Sequence, residues 1–228
     1  MEHPEIDFAT VLASAVHDMK NSLCMLIQSM DLLQQDLAPL SENASTELAR
    51  IHYEASRLNT NLMQLLSLYR IEKDQLPLHL DEYFVEDLLE EVVIKNEMYS
   101  QQKQIAVQVE TEHHLSWFFD NDLVSNLIND MFVNALRYSS GKLLLKASIE
   151  DAQLCLELHD DGVGFPDFML ENNDNSMTHF NLAAGRTGLG LFFAHLIAKA
   201  HRNQGRHGRI ELSNGGRYGG GVFRLWLP

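Results

Sequence analysis

The stretch DLVSNLINDMFVNALRYS, residues 122–139, predicts one helix with two chemically different faces. Its apolar stripe recurs at helical spacing and consists of Leu123, Leu127, Met131 and Ala135. The opposite face carries Asn126, Asp130 and Asn134, and Arg137 and Tyr138 extend it by one turn. Carboxylate and amide oxygens suit Mg²⁺, and a guanidinium suits the phosphates that the ion neutralises. The pattern therefore predicts a face for Mg²⁺ and phosphate, although a solvated helix surface has the same pattern.

A second segment, HDDGVGF at residues 159–165, directly follows a predicted strand. Asp160 at a strand end can accept a hydrogen bond from an exocyclic amine. The residues Gly162 and Gly164 let the backbone approach a flat ring closely. The segment therefore predicts contact with such a ring, although an acidic turn that only closes the strand fits equally well.

A third segment, Thr187-Gly188-Leu189-Gly190-Leu191, opens a predicted helix. Glycines at a helix N-terminus expose backbone N–H groups to a phosphate, and the helix dipole favours the anion. The spacing is neither that of a dinucleotide-binding fingerprint nor that of a P-loop. By itself the segment is a weak indication of phosphate binding.

The N-terminal part of the chain has the periodicity of long amphipathic helices. Residues 8–37 carry two interleaved apolar series with a seven-residue repeat, and a second seam follows Pro39 over residues 48–69. Two such helices form a hairpin, and two hairpins would bury both seams in a four-helix bundle. We therefore expect residues 1–72 to be a homodimerisation element, although a passive coiled-coil dimeriser fits equally well. The first series is Leu12, Met19, Leu26 and Leu33.

After an expected linker at residues 73–82, residues 83–228 predict a mixed layer of helices and strands. The order does not alternate as in a βαβ fold, so the predicted fold class is α+β. In it, the helical hairpin of a dimeric four-helix bundle precedes an α/β sandwich domain. Helices are expected over 84–98, 122–139 with Asp122 as the cap, and 188–200. Strands are expected near 105–109, 117–119, 142–149, 153–159, 209–212 and 222–227.

Together and in this order, the three polar segments resemble the ATP-binding domain of sensor histidine kinases, gyrase-type topoisomerases, ninety-kilodalton heat-shock chaperones and mismatch-repair ATPases. The segment HDMKNSL, residues 17–23, resembles the phosphoacceptor box of two-component histidine kinases and lies on the first seam helix. The chain is therefore similar to a histidine kinase catalytic core from about Phe8 onward. The other matching segments are DMFVNALRYS at 130–139, DDGVG at 160–164 and TGLGL at 187–191.

The resemblance implies a phosphorylation cycle with ATP and Mg²⁺ as cofactors. His17 would take the phosphoryl group from ATP and pass it to an aspartate on the receiver domain of a separate response regulator. Asp18 would activate His17 as the nucleophile, and Asn21 would orient water for dephosphorylation of the regulator.

The resemblance also implies roles in the nucleotide site. Asn134 and Asp130 would hold Mg²⁺, and Arg137 would face the phosphates. Tyr138 would cover the adenine, and Asp160 would bind its amine. The other expected nucleotide contacts are Gly162, Gly164, Thr187, Gly188, Leu189 and Gly190.

The chain departs from the family pattern at several positions. Ser22 stands where proline is usual, which predicts a weaker helix bend, and Asp130 stands where many histidine kinases have asparagine. A carboxylate there is the general base in the hydrolytic branch of the superfamily. Two other functions therefore remain open. One is a serine/threonine kinase or ATPase of the same superfamily, and the other is a phosphotransfer scaffold with a vestigial ATP site.

Composition excludes several classes of partner. The chain has 17 Lys+Arg against 32 Asp+Glu, a formal charge of −15, which disfavours nucleic acid and anionic membrane surfaces. Its apolar runs are too short to cross a bilayer, and its start, MEHPEIDFAT, lacks signal-peptide features. Cys24 and Cys155 are expected to be reduced thiols. We therefore expect a cytoplasmic protein without membrane insertion. Its input signal is expected from a separate sensor protein, from the short N-terminus or from a part of the protein outside these 228 residues.

Overall fold

The chain divides into two units, Met1–Pro77 and Leu78–Pro228. The computed structural model describes residues 18–19, 21–30, 48, 51, 55, 58, 78–170 and 188–228. The second unit begins inside the segment that the sequence predicts as a linker, and its first strand starts at Asp81. None of the helices described in these ranges is long and apolar enough to cross a membrane.

In the first unit, all of the described residues are helical. Two seam residues, Met30 and Ala55, are buried, whereas four others remain about half exposed. The Ser22 hydroxyl donates a hydrogen bond to the Asp18 carbonyl at 3.0 Å. A serine hydroxyl that bonds the carbonyl four residues earlier often bends a helix. Ser22 can therefore bend this helix as proline would. The hairpin loop and the four-helix bundle lie outside the described residues and stay predictions. The half-exposed seam residues are Met19, Leu26, Ile51 and Leu58.

The second unit contains three longer helices, two short ones and nine strands within residues 78–170 and 188–228. The helices are α1 (Val85–Lys95), α2 (Glu97–Gln102), α3 (Asn121–Tyr138), α4 (Asp167–Leu170) and α5 (Gly188–Ala200). The strands are β1 (Asp81–Phe84), β2 (Ala106–Glu110), β3 (Ser116–Phe119), β4 (Lys142–Glu150), β5 (Gln153–Asp160), β6 (Arg202–Asn203), β7 (Arg206–His207), β8 (Arg209–Asn214) and β9 (Gly221–Leu227).

The central feature of this unit is a five-stranded sheet in the order β2-β4-β5-β9-β8. Only β2 and β4 pair in parallel, and the other neighbours are antiparallel. Helix α3 packs on β5 with α1 and α5 on either side, so one face of the sheet carries a helical layer. The apolar core lies between the layers and includes Leu154, Leu156 and Leu158 of β5. The predicted α/β sandwich is confirmed.

Three local predictions were wrong, namely the cap of α3, the start of the first predicted helix and its continuity. Asp120, not Asp122, caps α3, because its Oδ1 accepts a hydrogen bond from the backbone N–H of Leu123 at 3.0 Å. Phe84 belongs to β1, and the predicted helix is divided at Asn96. The amide of Asn96 bonds across to Asn129 of α3 at 2.8 Å, which holds the break in place.

The buried Asp120 joins the beginning of α3 to the chain before β1 and to His201, which follows α5. Oδ2 of Asp120 accepts from the backbone N–H of His79 at 2.9 Å, and the backbone N–H of Asp120 donates to Nε2 of His201 at 3.1 Å. Nδ1 of His201 lies 2.8 Å from the carbonyl of Ile197, so Nδ1 is the donor and the ring is neutral. Burial lowers the pKa of His201, and the Ile197 and Asp120 contacts only partly oppose this.

The sheet face opposite the helices carries a buried ion cluster centred on Glu157, whose side chain is 7% exposed. Lys146 and Arg224 donate to its two oxygens at 2.8 and 2.9 Å, and Nε2 of His159 lies 3.3 Å away. The contact with His159, followed by those with the two cations, outweighs burial and holds the pKa of Glu157 far below its usual range. Glu157 is therefore a charged anchor for three adjacent strands.

Replacing Glu157 with glutamine should destabilise the second unit. The variant leaves Lys146 and Arg224 without their shared anion, and both are partly exposed, so we expect a loss of about 1–3 kcal/mol in urea unfolding. The matched control is Glu211→Gln, which breaks a weaker 3.5 Å pair with Arg224 at a side chain that is 44% exposed. The control should change stability by less than about 0.5 kcal/mol. Equal effects of the two variants would contradict an anchoring role for Glu157.

Stability should fall as the pH decreases from 7 towards 5, and His201 should contribute to the fall. The unfolded residue takes up a proton near its ordinary value of 6.5, whereas burial lowers the pKa of the folded residue, so protons favour unfolding. The wild type should therefore lose more free energy of unfolding over this range than His201→Gln. His195, whose pKa burial also lowers, leaves a residual slope in the variant. The exposed His207→Gln serves as the control and should keep the wild-type slope.

Candidate functional site

The polar face of α3 places a carboxylate and an amide one turn apart. Asp130 and Asn134 are both half-buried. Asn126 is exposed, and its side-chain amide donates to the backbone carbonyl of Asp122 at 2.6 Å. Within residues 78–170 and 188–228, no cluster of three or more His, Cys, Asp or Glu side chains is arranged to hold a metal ion. Asp130 and Asn134 could thus hold Mg²⁺ only together with other oxygens, such as those of phosphates or water, as is usual for this ion.

The last turn of α3 carries an exposed cation beside an aromatic ring. The guanidinium carbon of Arg137 lies 5.8 Å from the ring centroid of Tyr138, and both side chains are exposed. The positive charge of Arg137 also reaches Tyr99 of α2, where burial raises the pKa and Arg137 partly opposes the increase. This end of α3 therefore offers a cation and a ring face to a ligand.

Asp160 is held by the backbone so that its two carboxylate oxygens differ. Oδ1 accepts from the N–H of Gly162 at 2.7 Å and from the N–H of Gly221 at 3.0 Å. The backbone carbonyl of Asp160 accepts from the N–H of Gly220 at 3.1 Å. None of the described residues donates a hydrogen bond to Oδ2. The geometry therefore fixes the carboxylate through one oxygen and leaves the other to accept from a ligand amine.

Glycine is required at two positions of this turn because other parts of the chain lie very close to its backbone. A methyl group on Gly162 would lie 2.5 Å from the carbonyl oxygen of Tyr138. Gly164 has a φ of +78°, and a methyl group there would lie 2.6 Å from Oδ1 of Asn214. Side chains at these two positions would push the turn away from α3 and from β8.

Asp161 connects the same turn to the residues that follow α3. Its Oδ1 accepts from the backbone N–H groups of Ser140 at 2.7 Å and Gly141 at 3.1 Å. Burial alone would raise the pKa of Asp161, but the backbone donors, first Gly141 and then Ser140, outweigh it and lower the pKa. The turn at 160–164 and the end of α3 therefore form one assembly.

The second glycine segment lies against the middle of α3. Helix α5 begins at Gly188, and a methyl group on Gly190 would lie 3.6 Å from Cε of Met131. Leu189 is helical, and Thr187 lies outside the described residues. The structure thus brings two of the sequence-predicted segments, around Asp160 and around Gly190, to the helix that carries Asp130 and Asn134.

The predicted phosphoacceptor segment belongs to the other unit. Asp18 and Asn21 are helical and exposed, and His17 lies outside the described residues. The roles predicted for these three residues therefore stay predictions.

Sequence reasoning missed the residues of β8 and β9 that close the turn around Asp160. Asn214, Gly220 and Gly221 contact this turn from a distant part of the chain. One signal was present, since Gly219-Gly220-Gly221 at the start of a strand indicates close backbone approach. A methyl group on Gly220 would collide with Asp160 itself.

Comparison with known proteins gives this geometry a family context. Residues 119–228 match the model of the family described as histidine kinase-, DNA gyrase B- and HSP90-like ATPases. The match begins at the last residue of β3 and includes α3, the turn at 160–164 and α5. It therefore covers every element that builds the candidate nucleotide site.

Similar proteins are named as histidine kinases. The chain is 23% identical over 228 residues to the circadian input-output histidine kinase CikA of Thermosynechococcus vestitus, with 95% of this chain and 30% of CikA covered. It spans less than half of the length of CikA and of the other curated kinases compared.

Two solved structures share the fold. The Acinetobacter baumannii histidine kinase AdeS has a TM-score of 0.59 at 20% identity, covering 91% of this chain and 95% of AdeS. Full-length ShkA in complex with AMPPNP has a TM-score of 0.64 at 18% identity, covering 96% of this chain and 45% of ShkA.

These matches and the arrangement around α3 agree with one another. The Asp160 carboxylate, the glycines at the start of α5 and the oxygen-bearing side chains Asp130 and Asn134 all lie on elements that the family model covers. Residues 119–228 therefore form an α/β domain similar to the ATP-binding domains of histidine kinases.

Proposed function

We propose that this chain is the catalytic core of a histidine kinase that phosphorylates His17 from Mg-ATP and passes the phosphoryl group to an aspartate of a separate response regulator. The observation that carries the proposal is the fixed Asp160 carboxylate beside the end of α3. In the first step, Nε2 or Nδ1 of His17 attacks the γ-phosphorus. A P–N bond forms, the bond to the β–γ bridging oxygen breaks, and ADP leaves. In the second step, an aspartate carboxylate of the regulator displaces His17.

Asp160 and Tyr138 are proposed to bind the nucleobase. Oδ2 of Asp160 would accept from the adenine amine, while Oδ1 stays with the N–H groups of Gly162 and Gly221. The exposed ring of Tyr138 lies at the end of α3, and the backbone carbonyl of Tyr138 lies beside Gly162. The Tyr138 ring would therefore cover the adenine. Gly162 and Gly164 would serve base binding indirectly, because they let the turn pack against the Tyr138 carbonyl and against Asn214.

The phosphates and Mg²⁺ are proposed to lie along α3 towards α5. Asn134 and Asp130 supply the oxygen types that Mg²⁺ prefers, and Arg137 supplies a cation for the phosphates. The N–H groups at the start of α5, at Gly188, Leu189 and Gly190, would bind phosphate oxygens with the helix dipole. Thr187 would precede them. When bound, Mg²⁺ neutralises the charge that builds up on the transferring phosphoryl group.

The first unit is proposed to supply the acceptor and the dimer. Asp18 would hold a proton on one ring nitrogen of His17 and so make the other a better nucleophile. Asn21, one helical turn later, would orient water when the regulator is dephosphorylated. We further propose a cytoplasmic homodimer through residues 1–72, whose partners are a response regulator and a separate sensor protein.

Asp130 favours a second activity, which is ATP hydrolysis. Its carboxylate is half-buried one turn before Asn134, where it could accept a proton from water. This hydrolysis would compete with transfer to His17 and would release free phosphate. The Asp130→Asn variant should lower phosphate release while it keeps autophosphorylation.

Asp160→Asn should weaken ATP binding while it preserves the fold. The asparagine Oδ1 can still accept from Gly162 and Gly221, but an NH₂ group would replace Oδ2 and face the adenine amine. Loss of a charged acceptor should raise the calorimetric Kd for Mg-ATP by about 10- to 100-fold. Asp151→Asn is the control, because it removes the same charge at an exposed turn and should leave the Kd unchanged. Wild-type affinity in the Asp160 variant would remove this residue from the site.

Incubation with γ-labelled Mg-ATP should label the wild-type chain in a bond that acid cleaves and base does not, as expected for a phosphoramidate. His17→Gln should take up no label and keep its ATP affinity. His52→Gln, a histidine substitution within Met1–Pro77, should label normally. Label that survives acid, or that persists in His17→Gln, would assign the transfer to another residue type.

A further inference from the structure

The loop between β8 and β9, residues 215–220, lies beside the turn that carries Asp160. Its two ends contact that turn at different places. Asn214, the last residue of β8, contacts Phe165, and Gly220 and Gly221 contact Asp160. The turn is therefore enclosed by residues more than forty positions later in the chain.

Asn214 makes a two-way contact with the backbone of Phe165. Its Oδ1 accepts from the Phe165 N–H at 2.7 Å, and its Nδ2 donates to the Phe165 carbonyl at 2.8 Å. A side-chain amide that bonds both polar groups of one residue fixes that peptide segment in position and orientation. The ring of Phe165 is held as well, because it packs against the apolar core.

This contact also constrains Gly164. The side-chain amide of Asn214 occupies the space into which a side chain on Gly164 would project. The Gly164 φ is +78°, a conformation that favours glycine. Asn214 and Gly164 are thus complementary in shape. The last part of the turn can neither move outward nor rotate while Asn214 is in place.

The other end of the loop fixes the first part of the turn. Gly220 donates to the backbone carbonyl of Asp160, and Gly221 donates to its Oδ1. A methyl group on Gly221 would lie 2.8 Å from Oδ2 and 3.0 Å from the Phe165 ring. The same loop therefore determines where both Asp160 and Phe165 lie.

We propose that Asn214 is a positioning residue for nucleobase recognition, which rests on the proposed function of Asp160. By clamping Phe165 and filling the space beside Gly164, it holds the turn at the orientation in which Oδ2 of Asp160 meets the exocyclic amine. Its effect is therefore on the choice of base and not on the phosphates or Mg²⁺.

The loop has anchors that do not depend on Asn214, so the residue can be tested by itself. Arg217 pairs with Glu110 of β2 at 3.0 Å, and the hydroxyl of Tyr218 donates to Gln108 at 2.7 Å. Removing the Asn214 side chain should therefore leave the loop attached to the sheet. Only the clamp on residues 164–165 is lost.

The test compares Asn214→Ala with Ser213→Ala by calorimetry of Mg-ATP and Mg-ITP. The inosine ring carries an oxygen where adenine has its amine, so the ratio of the two Kd values measures recognition of that amine. Ser213 is the matched control, because it precedes Asn214 on β8 and loses one hydrogen bond, that from Arg224 at 2.9 Å. Thermal unfolding of both variants checks for general loss of structure.

We expect Asn214→Ala to lower the preference for ATP over ITP by about three- to tenfold, since the clamp is solvent-exposed and its bonds are neutral. Ser213→Ala should keep the wild-type ratio. A wild-type ratio in a folded Asn214→Ala protein overturns the inference and leaves the proposed function intact. If the wild type itself binds no ATP, the proposed function fails, and the inference with it.

Amide hydrogen exchange of the wild type gives an independent outcome should Asn214→Ala not fold. ATP should slow exchange over residues 160–165 and also at 214–221, because the two segments are one assembly. Slowing confined to residues 160–165 would overturn the role of Asn214.

Discussion

The structure around the site depends on one constraint, which is that the Asp160 carboxylate is held by two backbone N–H groups on the same oxygen. Gly162 supplies one of these groups from the same turn, and Gly221 supplies the other from β9. A carboxylate bound in this way cannot turn its second oxygen away from a ligand. The cost is that three backbone segments must meet at close range, and a side chain on Gly162 or Gly220 would prevent this.

Helix α3 is the element on which these segments assemble. At its beginning, Asp120 is bound to His79 and His201, so the helix is fixed to the chain before β1 and to the end of α5. At its end, Asp161 binds the N–H groups of Ser140 and Gly141. A helix fixed at both ends presents Asp130 and Asn134 at a constant distance from Asp160, and a site for one extended ligand requires such an arrangement.

The sheet face opposite the helical layer is covered in a different way. Glu157 and His159 are both buried there. Lys146 and Arg224 lie over Glu157 with their charged groups, and the loop at 215–220 lies over His159 and reaches β2. The strands next to the turn at 160–164 are therefore tied together on both faces of the sheet.

The sequence by itself determined the α/β sandwich, α3 and the glycine segments, because helical spacing, strand alternation and glycine placement are local properties of the chain. It also pointed to Asp160, since an acidic residue at a strand end before two glycines is readable from neighbours alone. The sequence predicted the wrong cap residue for α3, because Asp120 is held by contacts with His201 and His79 as well as by its hydrogen bond from Leu123. Only the tertiary structure decided that Asn214, Gly220 and Gly221 enclose Asp160, because antiparallel pairing of β5 with β9 brings together residues about sixty positions apart, and no local pattern encodes that register.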